Sequence, residues 1–103
     1  MPATEIFQKI LTAVSAETEI EPQVILSEKR ESDVVDARYI LIHRLDRCGL
    51  SSPHIARLMG KNPRFVNYVK SNYDQRLKQS RYMRHCAAAI GQKMGDNEVV
   101  NWR

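Results

Sequence analysis

Apolar residues recur along this chain at intervals of three and four, the period of one face of an α-helix. Ile6, Phe7, Ile10, Leu11 and Val14 form the first stripe, and Thr4 is placed to cap it, so a helix is expected over residues 4–16. The acidic stretch 17–22 interrupts it. Pro22 then suits the first turn of a short helix carrying Val24, Ile25 and Leu26. Ser27, Glu28, Lys29 and Arg30 read as a polar loop. Residues 32–48 predict a long helix capped by Ser32, with Asp33 and Asp36 near its positive end and Arg44 and Arg47 near its negative end. Tyr39, Ile40, Leu41 and Ile42 make it apolar nearly all round, which places it centrally, and Gly49 ends it.

The most telling spacing follows. Ser52-Pro53 and Asn62-Pro63 are two cap-and-proline helix starts, with Met59-Gly60 closing the first helix. Ile55, Ala56 and Met59 share one face of the first piece, and Val66 and Val69 share one face of the second. A helix-turn-helix needs a small residue where its helices cross, here Ala56, and a residue tolerant of positive φ in the turn, here Gly60. The outward positions of the second helix then include Arg64, Phe65, Asn67 and Tyr68, side chains suited to a major groove. Val66, Val69, Tyr73 and Leu77 carry that helix to about Gln79. Tyr82, Met83, Cys86, Ala87 and Ile90 either continue it or form another, ending near Gly91. Alternation of β-branched residues is weak throughout, so the expected class is all-α. Residues 1–94 are expected to form one helical domain, and 95–103 a loose tail whose Val99, Val100 and Trp102 are able to dock.

Charge sharpens this picture. The formal net charge of +4 hides an asymmetry, with residues 1–37 at −5 and residues 38–103 at +9. The stretch 57–84 holds eight cations against Asp74 alone, and a polyanion is the simplest partner for such a block. The other reading of the block is a solvated helical face. No 18-residue apolar run is present, so no membrane span is expected. The opening MPATEIFQKI lacks the basic-then-apolar pattern of a secretory signal, and the expected location is cytoplasmic. Cys48 and Cys86 match no metal-ligand spacing and read as buried thiols, so neither a metal nor a cofactor is expected.

With these elements in order, residues 5–80 resemble the C-terminal DNA-binding domain of the bacterial replication initiator DnaA, a member of the Trp-repressor-like helix-turn-helix group. Ser27-Glu28-Lys29-Arg30 looks like the family's basic loop, and Arg38-Tyr39-Ile40-Leu41-Ile42 like its long Arg-bearing helix. Ile55-Ala56-Arg57-Leu58-Met59-Gly60 is similar to its Ile-Gly-x-x-Phe-Gly run. Lys61-Asn62-Pro63-Arg64-Phe65-Val66 stands where the family has Arg-Asp-His-Ser/Thr-Thr-Val, with only the final Val kept. The resemblance implies a fold and a DNA-facing surface, with Lys29, Arg30 and Arg38 toward the flanking backbone or minor groove. It implies neither initiator activity nor the same DNA sequence.

The candidate DNA-binding residues are therefore Lys29, Arg30, Arg38, Ser52, Arg57, Lys61, Asn62, Arg64, Phe65, Asn67 and Lys70. Arg64 suits a guanine edge and Asn67 an adenine edge. Phe65 either touches a thymine methyl or packs in the core. Asn62 is first a cap. Ser52, Arg57 and Lys70 are phosphate candidates, and such contacts orient without specifying. Arg38 either reaches DNA or pairs with Asp33 or Asp36. Tyr73 is expected in the core. His43, His54 and His85 stand apart from any acid or nucleophile at a catalytic spacing, so no enzyme is expected. The leading expectation is a duplex DNA-binding protein in replication or transcription, reading with residues 63–71. Rivals are a protein-interaction adaptor on the same fold, serving a replication or mobile-element complex, and an RNA binder. A homodimer is left open, because the residues after Tyr82 suit either pairing of two chains or closure of the core.

Overall fold

The structure, a computed structural model, describes residues 2–95. Those residues form six helices and no strand. They are α1 (Ala3–Thr18), α2 (Pro22–Ile25), α3 (Ser32–Arg47), α4 (Ser52–Met59), α5 (Pro63–Gln79) and α6 (Arg81–Lys93). The all-α expectation holds. All of the expected loose tail but Gly95, including Val99, Val100 and Trp102, lies outside the described residues.

The core is built around α3, which packs against every other helix. Ile40, Leu41, Ile42 and Leu45 are fully buried, as an all-round apolar sequence requires of a central helix. α1 lays Phe7, Ile10, Leu11 and Val14 on it, and its buried Thr18 hydroxyl donates to the Val14 carbonyl at 2.7 Å. α6 closes the other side with Met83, Cys86 and Ile90.

Several helix ends differ from the sequence expectation by one residue or more, for local reasons. α1 begins at Ala3 rather than Thr4, because the Pro2 carbonyl accepts from both the Glu5 and Ile6 amides. It runs to Thr18, and Glu19 ends it in the left-handed conformation at φ 59°. Glu31, not Ser32, is the extended residue before α3. Ser51, not Ser52, caps α4 by accepting from the His54 amide. That one-residue shift frees the Ser52 side chain to turn inward. Cys48 is exposed rather than buried, because α3 ends there and leaves it on the turn, whereas Cys86 is buried.

α5 does not continue into α6. Ser80 is extended, and its hydroxyl oxygen accepts from the Met83 amide to start the new helix. The same hydroxyl donates to Asp36 Oδ2 at 2.8 Å, while Arg76 Nε donates to Asp36 Oδ1 at 2.6 Å. One carboxylate of α3 thus fixes the end of α5 and the start of α6. The notional pairing of Asp36 with Arg38 does not occur. Gly91 lies buried within α6 and does not end it, since the chain stays helical to Lys93.

The Asp36 side chain is 2% exposed, whereas the Asp46–Lys70 pair (3.1 Å) has side chains 41% and 31% exposed. Removing one partner of a buried pair leaves the other uncompensated, at about 3–5 kcal/mol, whereas an exposed pair contributes about 0–1 kcal/mol. Asp36→Ala is therefore expected to lower unfolding stability by about 3 kcal/mol and Asp46→Ala by under about 1 kcal/mol, read from urea midpoints. Equal losses would refute this assignment.

Candidate nucleic-acid interface

α4, a turn and α5 form the face that the sequence singles out. Ile55, Ala56 and Met59 of α4 meet Val66 and Val69 of α5 with almost no exposure, and Ala56 is 1% exposed. Gly60 takes φ +68°, which admits two closing bonds: its own amide to the Arg57 carbonyl and the Lys61 amide to the Ala56 carbonyl at 2.8 Å. Asn62 caps α5 as expected, its Oδ1 accepting from the Arg64 amide at 2.7 Å.

The back of α5 is held to α3 by a polar seam. Reading up α3 and down α5, Asp36 meets Arg76, His43 stacks on Tyr73 with ring centroids 3.8 Å apart, and Asp46 meets Lys70. The ordered contacts show the two helices antiparallel. Arg76 also lies over the Tyr39 ring, 5.1 Å from its centroid. Lys70 Nζ donates in turn to the Ser52 hydroxyl at 3.0 Å, and that hydroxyl donates to Asn67 Oδ1 at 2.6 Å. Ser52 and Lys70 therefore brace Asn67 from behind.

The front of α5 is open. Arg64, Asn67, Tyr68 and Ser71 are all exposed and fall at i, i+3, i+4 and i+7, one continuous stripe. Tyr68 is 60% exposed, unusual for a large apolar side chain. Asn62 stands exposed at the head of the stripe and Arg57 is exposed on α4. Phe65 is half-buried against the core, so it leaves the outward set. Ser71 was not among the expected residues, although the i+7 step from Arg64 marks it.

The polar loop is tied to the turn. Lys61 Nζ donates to the Ser27 carbonyl at 3.0 Å and to Glu28 Oε2 at 2.6 Å. Lys61 holds the Glu28 carboxyl below its ordinary range, with Arg38 and Arg30 adding to the effect. Lys29 and Arg30 remain exposed. Arg38 is buried, its Nε donating to the Ile25 carbonyl at 2.7 Å, and it pairs with neither Asp33 nor Asp36. Of the eight cations between residues 57 and 84, Lys61, Lys70 and Arg76 are engaged by Glu28, Asp46 and Asp36. The basic block is thus partly structural.

The described residues hold no cluster of three or more metal-ligating side chains and no helix long and apolar enough to cross a membrane. Compared with known proteins, the chain matches no family model and no curated protein.

The seam carries one histidine, His43. Burial pushes the His43 imidazole below its ordinary value, and Arg47 and Arg44 push the same way against Asp46 and Asp74. The unfolded chain then takes up the proton first as pH falls. The His43 contribution to stability is full above about pH 7 and declines as pH falls through the unfolded value of about 6.5 toward the depressed folded value. Urea midpoints measured from about pH 8 to about pH 5 should fall in the native chain and fall less in His43→Phe, which keeps a ring on Tyr73. Identical pH slopes would contradict the assignment.

Proposed function

We propose that the chain binds duplex DNA through a helix-turn-helix made of α4 and α5, with residues 63–71 entering the major groove. The observation that carries this reading is the stripe Arg64, Asn67, Tyr68 and Ser71, exposed on the first turns of a helix held from behind. An exposed helix face held by fixed contacts loses little freedom on docking, and base-reading side chains cluster at the N-terminal part of such a helix. Arg64 supplies a fork of donors for guanine, and Asn67, with its Oδ1 held by Ser52, offers its Nδ2 donor to a base-edge acceptor. Because its Oδ1 accepts from Ser52, Asn67 enters the groove with its amide already oriented.

Arg57 on α4 and Lys29 and Arg30 on the loop before α3 are exposed and suited to backbone phosphates. Lys61 anchors the loop to the turn, so the flanking charge stays in register with the helix. Ser52 and Lys70 support this surface rather than line it, since their donors go to Asn67 and to Ser52, and Arg38 is buried with its Nε on the Ile25 carbonyl. The Trp-repressor-like arrangement is part of the same proposal. It rests on the order of elements and on the α4–α5 contact.

The test is a fluorescence-anisotropy titration of random and selected duplexes over a range of salt. Binding should weaken with salt by about 0.9 log units per log unit of salt for each phosphate neutralised. Arg64→Ala should cost about 1–3 kcal/mol on a selected site and much less on random duplex. No binding at low salt, or a flat salt response, would overturn the proposal.

A further inference from the structure

A groove of about 660 Å³ lies between the loop at 27–31, the start of α3 and the start of α5. Its volume is in the range of sites for small organic ligands. Glu28, Arg30, Arg38 and Lys61 line its charged end. Tyr39, Phe65 and Tyr68 line the rest, with Arg76 beside Tyr39. Ser32 and Asn62 also line it, so the N-termini of two long helices open on it.

Two observations mark the charged end as a seat for an anion. Arg38 is only 6% exposed, yet its Nη2 has no hydrogen-bond partner among the described residues, while its Nε is fixed to the Ile25 carbonyl. Nη2 is itself enclosed, so the guanidinium is a fixed positive charge at the groove wall with one donor left unused. The chain's own anion is already beside it: the Glu28 carboxylate lies on Lys61, in the field of Arg38 and Arg30. That side chain is 90% exposed, so it is free to leave without disturbing the core.

We propose that this groove binds a nucleoside phosphate, whose phosphate displaces the Glu28 carboxylate to meet Lys61 and Arg30 in the field of Arg38, and whose base lies against Phe65 and Tyr68. A phosphate presents more acceptors than the carboxylate it replaces and pairs well with guanidinium groups. The aromatic wall gives a planar base a stacking surface and gives inorganic phosphate nothing, so the two ends together select a ring joined to a phosphate. The site lies apart from Arg64, Asn67 and Ser71, and it shares Tyr68 and Arg30 with the proposed DNA-binding surface.

The test is an amide NMR titration of the full chain with adenosine monophosphate, adenosine and inorganic phosphate, each to about 10 mM, without DNA. Adenosine monophosphate should shift residues 28–39 and 60–68 and bind more tightly than either fragment. Glu28→Gln removes the resident charge and should tighten binding about two- to fivefold, and Arg30→Ala, an exposed change that spares the fold, should weaken it by a similar factor. No binding to either the native chain or Glu28→Gln, shifts confined to other helices, or adenosine binding as tightly as its phosphate would each overturn the proposal. Because no DNA is present, these results are independent of the duplex titration, and either proposal can fail alone.

Discussion

The antiparallel seam between α3 and α5 is the constraint from which the rest of the site follows. α5 carries polar and charged residues on most of its surface, with Val66, Val69 and Tyr73 its buried contribution. Those three, with Phe65 and Leu77 partly buried beside them, turn one stripe of α5 toward the core, and directional contacts then lock that orientation. The directional contacts come from α3: a carboxylate at Asp36, a ring at His43 and a carboxylate at Asp46, met by Arg76, Tyr73 and Lys70. Partners three residues apart on α5 lie on one face, so the opposite face, with Arg64, Tyr68 and Ser71, is set outward.

The same economy shapes the electrostatics. Charges that look like one basic block along the chain separate into two kinds in space. Lys61, Lys70 and Arg76 hold the architecture, whereas Arg57, Arg64, Lys29 and Arg30 are presented at the surface. The acidic first third of the chain takes part as well. Asp36 is buried at the junction of three helices, and Glu28 sits at the mouth of the groove. The asymmetry of charge along the sequence is thus partly a record of pairing between its two parts.

Much of the architecture was legible in the sequence because it depends on local chemistry. The stripe of Ile10, Leu11 and Val14, the all-round apolar run at Tyr39–Ile42, and the Asn62-Pro63 start each specify a helix without reference to distant residues. The break between α5 and α6 was not legible, because Ser80 is stabilised by Asp36, forty-four positions away. Arg38 and Ser52 were misread in their immediate partners for the same reason. Their bonds go to the Ile25 carbonyl and to Asn67, contacts that exist only after the helices pack. The seam did leave a trace, since Asp36, His43 and Asp46 share one face of α3 and Lys70, Tyr73 and Arg76 one face of α5, but nothing local says that the two faces meet. Of the candidate residues, those whose position follows from helical phase alone, Asn62, Arg64 and Asn67, lie exposed where the spacing put them.

Hydroxyl-radical footprinting of the full chain with and without duplex DNA tests the central claim, that the outward face of α5 is the binding face. Two large apolar side chains stand exposed among the described residues, Tyr68 on that face and Tyr82 on α6. Duplex should suppress modification of Tyr68 and leave Tyr82 unchanged. Protection of Tyr82 with Tyr68 still reactive would contradict the account.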